Sequence, residues 1–356
     1  MTVNTSNGAP KRVMITGVSG FLGLRLAKRL ENDPNVEHLV GVDLEEPPVD
    51  VKGLEFIKAD IRNPLVARVL ETTEVETLIH TNITSSPARI GGRTQMKENN
   101  VIGTMQLLAA AQRAERLSKV IMKSSSAVYG SSPKEPSIVS EAHAARQVDL
   151  FGYGKDCAEA ETYARDFGRR RKDVDLVILR TQNVLGPTVR TNFTSYLSLP
   201  VVPTALGFDP RLQFLHEEDA VEALYGAMVN DCKGIFNIAA DGVVFLSKAL
   251  RLLGRVQFPL PLPAARFTAD TLRRFGLVDF PMDQLKMILF GRVVSTLRAK
   301  ESFGFSPRYT TESALKDFRD QRESGASDAE PSGRPTWEHD LIEYLSDKAT
   351  RDKENV

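Results

Sequence analysis

Val13-Met14-Ile15-Thr16-Gly17-Val18-Ser19-Gly20-Phe21-Leu22-Gly23 carries an apolar, β-branched run through a glycine-rich turn into an amphipathic segment. Strand, turn and helix start follow one another in the order of a dinucleotide-binding unit. Glycines there let the backbone approach a pyrophosphate, and free N–H groups of the first helical turn hold its charge. The expected cradle comprises Gly17, Ser19, Gly20, Phe21, Leu22 and Gly23. Asp43 closes the next apolar run, about 20 residues on, where a carboxylate accepts hydrogen bonds from both ribose hydroxyls. It would repel a 2′-phosphate, and Leu44-Glu45-Glu46 supplies no arginine to neutralise one, so NAD is expected rather than NADP. Asp60 and Ile61, after the third strand-like run, fall beside the adenine in such a fold.

Working outward, short aliphatic runs at 12–16, 39–43, 55–57, 77–80, 119–122 and 175–179 alternate with helix-length patterns at 22–30, 99–114 and 153–169. This rhythm predicts an α/β fold, a doubly wound parallel sheet of the Rossmann type with a smaller C-terminal substrate lobe. Residues 1–11 read as a disordered N-terminus and 12–185 as the NAD-binding domain. Residues 186–319 read mainly as the substrate lobe, with some segments returning to the first domain. The polar stretch from 320 reads as a linker, followed by a short helix around Trp337 that ends the 320–356 region. The apolar 256–294 segment reads as core helices of the smaller lobe, with a hydrophobic substrate wall as the alternative.

Lys plus Arg and Asp plus Glu number 46 each, so no global field favours nucleic acid or an anionic membrane. No run of 18 apolar residues occurs and no leader pattern is present, which predicts no membrane span and a cytoplasmic protein. Cys157 and Cys232 are too few and too scattered for a disulfide framework or a zinc site, and no metal is expected.

Further motifs complete a resemblance: Asn100-Val101-x-Gly103-Thr104, Ser124-Ser125-Ser126-Ala127-Val128-Tyr129-Gly130, Arg180-x-x-Asn183-Val184-x-Gly186-Pro187, His216-x-x-Asp219 and Gly304-Phe305-x-Pro307. With the glycine cradle they resemble the NAD-dependent epimerase/dehydratase family of extended short-chain dehydrogenases, which includes UDP-sugar epimerases. The resemblance implies a nucleotide-sugar substrate, with Ser125 bonding the reacting sugar oxygen and Ser126 assisting. It implies cofactor contacts at Thr81 and Asn100, and a packing role for Tyr129. Substrate contacts would fall at Asn183, Arg190, Arg211 and His216. Members of the family pair through two helices, here 99–114 and 153–169, which suggests a homodimer.

The chain departs from that family where its catalytic tyrosine and lysine belong. The segment reads Phe151-Gly152-Tyr153-Gly154-Lys155-Asp156-Cys157. Pairing Phe151 with Lys155 keeps the lysine, which holds the nicotinamide ribose, but replaces the proton-transferring tyrosine. Pairing Tyr153 with Cys157 keeps the tyrosine and loses the lysine. The first register is preferred, with Tyr153 turned away by about 200° of helix. Two further departures are Leu212-Gln213-Phe214 beside Arg211 and the polar His80-Thr81-Asn82. The expected protein is thus an NAD-binding epimerase/dehydratase-like enzyme with weakened redox chemistry. A catalytically silent NAD-dependent binding protein and an oxidoreductase for an apolar substrate are the alternatives.

Overall fold

The structure, a computed structural model, describes residues 11–143, 152–261 and 282–323. Phe151 and the Trp337 segment lie outside them. Seven parallel strands form the main sheet: β1 (Arg12–Thr16), β2 (His38–Asp43), β3 (Leu54–Lys58), β4 (Thr77–His80), β5 (Lys119–Ser125), β6 (Asp175–Thr181) and Gly234–Ile238. Their order is Gly234–Ile238, β6, β5, β4, β1, β2, β3. The chain therefore winds outward from β1 in one direction and from β4 in the other. The winding reverses between β1 and β4, and in open sheets of this kind the ligand crevice lies outside the carboxyl ends of such a strand pair.

Central strands have no solvent face, and their sequences show it: Thr77–His80 is buried at every position, as are Val13, Met14 and Ile15. One apolar layer packs the sheet against α2 (Leu65–Thr72), α4 (Thr104–Ala111) and α5 (Gly152–Arg170), with the short α3 (Arg93–Lys97) between α2 and α4 in the chain, and includes Met14, Leu78, Val120, Met122, Cys157 and Phe167. The opposite layer holds Ile15, Ile79, Ile121 and Val177 against α1 (Phe21–Leu30) and the helix Glu217–Val229. A third cluster, around Phe193, Phe214, Leu250, Met287, Ile288 and Phe318, forms the core of the smaller lobe. Of the apolar 256–294 segment, the helix Met282–Phe290 thus contributes core side chains, while 262–281 lies outside the described residues. Strand Gly234–Ile238 pairs with β6 at the edge of the main sheet. Among the described residues, no helix is long and apolar enough to cross a membrane.

Candidate active site

The glycine cradle has the geometry its sequence implied. Gly17 adopts φ +78°, and a Cβ there would lie 2.8 Å from the backbone nitrogen of Asn82. A Cβ on Gly23 would come within 2.1 Å of the Gly17 carbonyl, so α1 packs against the turn at a distance only glycine permits. Leu22 is buried beneath the turn, and Phe21 lies 5.7 Å from the Arg25 guanidinium. Asp43 ends β2 and accepts the backbone N–H groups of Ser19, at 2.9 Å, and Leu44, at 2.8 Å. Burial raises its carboxyl above the usual aspartate range, against the pull of those bonds.

Other expected cofactor residues serve the frame. Asp60 is held by a forked bond from Arg62, with Nε 2.9 Å and Nη2 2.6 Å from Oδ2. Ile61 is buried, and a side chain on Gly103 would meet its Cδ1 at 2.7 Å. Thr81 donates its hydroxyl to the Thr16 carbonyl at 2.9 Å, tying β4 to β1. Asn100, wholly buried, bonds both backbone groups of Thr84. His80 lies between Thr16 Oγ1, 2.8 Å from Nδ1, and Thr104 Oγ1, 2.9 Å from Nε2. Thr104 already donates to the Asn100 carbonyl, so it accepts from Nε2–H, and burial favours the neutral ring, whose Nδ1 accepts from Thr16. Burial, with Lys123 nearby, pushes the imidazole down to about 3.

Strand β5 ends in Lys123-Ser124-Ser125, followed by a tight turn from Ser126 to Tyr129. Side chains alternate along a strand, so Lys123 and Ser125 share one face and Ser124 the other. Ser125 accepts the Ala127 N–H at 3.1 Å. Ser124 donates to Glu161 of α5 at 2.7 Å. A Cβ on Gly154 would lie 2.6 Å from the Ala127 carbonyl, so α5 is pressed onto this turn through a glycine.

The rotation of α5 reverses the expected placement of its side chains. Cys157, Glu161 and Ala164 are buried, and Tyr153 lies on the same side of the helix, one turn before Cys157. The Tyr153 hydroxyl lies 3.0 Å from Lys123 Nζ. Lys155, about 200° away around the helix, is 55% exposed with its ammonium 4.0 Å from Glu159. Lys155 therefore does not occupy the site the sequence assigned to it, and Tyr153 does not turn away. Three preferences win over the first register: apolar and small residues at 157, 160 and 164 seek the sheet, Asp156 bonds Arg93, and Glu161 seeks Arg180.

Among the expected substrate residues, His216 is a capping residue. Its Nδ1 accepts the Glu218 N–H, its Nε2 lies 3.0 Å from Asp317, and its ring stacks on Tyr309 at 3.5 Å. With the side chain buried and both nitrogens engaged, it presents nothing to a ligand. Ser126 is likewise wholly buried, bonded to Gln182 and Arg292, so it braces the turn rather than assisting at a substrate oxygen. Asn183 donates to the Met287 sulfur at 2.9 Å. Arg190 curls onto the Pro187 carbonyl at 2.9 Å. Arg211 is exposed and reaches the Ser137 carbonyl at 3.4 Å. Tyr129 is a core residue, bonded to Arg180 and Asn237.

Sequence reading missed Lys123 and Arg292. Arg292 reaches the β5 turn, with bonds of 3.1 Å to Ser126 Oγ and 3.1 Å to the Gly130 carbonyl. A signal existed for Lys123: it is a cation closing an otherwise apolar run, Val120-Ile121-Met122. Arg292 follows a glycine after the apolar helix, where nothing local marks it.

A parallel sheet whose first turn is built for a pyrophosphate, with an acid closing the second strand, defines a dinucleotide-binding α/β protein of the Rossmann class. Residues 13–239 match the NAD-dependent epimerase/dehydratase family, and the chain belongs to it. An uncharacterised protein of Mycobacterium tuberculosis is 41% identical over 315 residues, 87% of this chain and 83% of that one. A trifunctional UDP-glucose 4,6-dehydratase/epimerase/reductase of Arabidopsis thaliana is 28% identical over 192 residues, 50% of this chain and 28% of that protein. Two solved structures share the fold. MoeE5 in complex with UDP-glucuronic acid and NAD superposes with a TM-score of 0.68 at 21% identity, over 88% of this chain and 99% of that one. UDP-glucose 4-epimerase of Thermotoga maritima with UDP-glucose gives 0.68 at 18%, over 89% and 100%.

Proposed function

We propose that this chain is an NAD-dependent enzyme that oxidises a sugar carbinol of a nucleotide sugar, as the first step of an epimerisation or dehydration. The observation that carries the reading is Tyr153 on Lys123, on the strand that ends two residues later in Ser125 and at the same sheet edge as the glycine cradle. NAD would lie with its pyrophosphate on the 17–23 turn and its adenosine ribose on Asp43, and it would supply the hydride acceptor. Ionised to the phenolate, Tyr153 takes the carbinol proton on Oη, and Ser125 Oγ orients the same oxygen. UDP-sugars are the substrates named with the structural neighbours that share the fold, and they support the choice of substrate class. Tyr153 beside Lys123 supports reading the site as one that keeps a proton-transferring tyrosine.

The test is incubation of the purified chain with NAD and either UDP-glucose or UDP-glucuronic acid, followed by NMR of the sugar ring. An epimer or a keto sugar that forms only with NAD is the expected result. An unchanged sugar that also fails to bind in calorimetry overturns the substrate class.

A further inference from the structure

We propose that Lys123, on strand β5, is the charge partner of Tyr153, the position for which a lysine on α5 was expected. The inference rests on the reading of Tyr153 as the proton-transferring group, and its test needs no sugar.

Three side chains compete for the role, and geometry separates them. Lys155 points to solvent beside Glu159. Cys157 is one turn beyond Tyr153, hydrogen-bonds with it and is wholly buried. Burial drives its thiol up to about 12, so it stays neutral and offers no cation. Lys123 is the remaining one, with its ammonium 3.0 Å from the phenol and 3.4 Å from the Ile83 carbonyl. The side chain is half-buried, and crowding by protein pushes the ammonium below the usual lysine range.

Lys123 meets no carboxylate among the described residues; its two oxygen partners are a phenol and a carbonyl. A cation so placed is costly unless an anion forms beside it. The anion available is the phenolate that Tyr153 becomes when its proton leaves. Among the described residues, the other groups named on the elements around the pair carry no competing charge. His80 on β4 is neutral, as is Cys157 on α5, and the nearby Asp156 and Glu161 are committed to Arg93 and Arg180. Lys123 and Tyr153 therefore titrate as one coupled unit. The cation reaches the tyrosine from the strand carrying Ser125, so one strand end sets both the hydroxyl that orients the substrate oxygen and the charge beside the acid/base group.

The experiment is ultraviolet difference titration of the full chain, with and without NAD, subtracting the Tyr153→Phe variant to isolate one phenol. The phenolate step of Tyr153 is expected below the ordinary tyrosine value of about 10. Lys123→Met should move it up by about one pH unit or more, a tenfold or larger change in acidity, while Lys123→Arg should restore much of the shift and Lys155→Met should leave it in place. In the relocated variant Lys123→Ala/Cys157→Lys, a step that returns toward the wild-type position would support the assignment. A step that stays put in Lys123→Met, or moves in Lys155→Met, overturns it. If no UDP-sugar is turned over but the step responds to Lys123 alone, the substrate reading falls and the charge pair stands.

Discussion

Glu161 of α5 and Arg180 of β6 form a forked ion pair, Nε to Oε1 at 2.9 Å and Nη2 to Oε2 at 2.6 Å, with both side chains buried. Glu161 follows Tyr153 by eight residues, a little over two turns, so the pair that locks its rotation also aims Tyr153 at β5. Ser124 and Tyr129 bond into the same group, which joins the helix, the sheet and the turn after Ser125.

Arg180→Met should accordingly destabilise the chain by up to about 3–5 kcal/mol, because it removes the buried partner of the Glu161 carboxylate and leaves only the half-exposed Arg165, 3.1 Å away, as a cation beside it. Denaturant unfolding measures this. Glu161→Gln/Arg180→Met should recover part of the loss, since it removes the buried charge that Arg165 alone compensates.

Gly154→Ala tests the seating of α5. Its new methyl would meet the Ala127 carbonyl at 2.6 Å, and neither backbone yields easily. A loss of about 1–3 kcal/mol is expected, with a larger proportional fall in turnover than in NAD affinity, because the displaced helix carries Tyr153 and not the cradle. Equal falls in both would count against this division of labour.

How much of this was legible beforehand follows the range of the interactions. The strand-turn-helix unit around Gly17 is local, as its close contacts with Gly23 and β4 show, so the glycine turn and the place of Asp43 at the end of β2 were readable. The setting of α5 was not. Tyr153 and Lys155 differ by two positions, and the choice between them was made by Arg93, Arg180 and Lys123, each far away in sequence. A motif that fixes a lysine by its distance from a tyrosine assumes that both stand on one helix, and here, among the described residues, the cation beside Tyr153 comes from a strand. His216 was misread for a similar reason, since its partners Asp317 and Tyr309 arrive from the end of the chain.

Asp43→Asn should separate stability from binding. Burial raises the Asp43 carboxyl, so ionising it opposes folding, and this cost sets in as pH rises through the ordinary aspartate range. The amide removes that cost but keeps only one of the two acceptor oxygens that hold the Ser19 and Leu44 N–H groups, so the stability of the NAD-free variant at neutral pH should change little. Its NAD affinity should fall roughly 10- to 100-fold, the scale of hydrogen bonds to a charged acceptor. Thermal unfolding without NAD and calorimetric titration with it read the two effects, and a parallel loss in both would contradict them.

His80 should impose an acid limb on stability. Its imidazole is pushed down to about 3 in the folded chain, against an ordinary value of 6.5, so the unfolded chain binds a proton first as pH falls. Stability that is complete above about pH 6.5 should therefore decline toward pH 3, with a slope approaching 1.4 kcal/mol per pH unit for this one group. Below that value the folded ring also protonates and the slope from His80 vanishes. Protonation puts a donor on Nδ1, and Thr16 can then no longer donate to it, so the β1–β4 tie loosens where the cradle begins. His80→Asn lacks the titrating ring. Denaturant unfolding between pH 6.5 and 4 should show a shallower decline for this variant than for the wild type, and parallel curves would mean that the ring is already charged when folded.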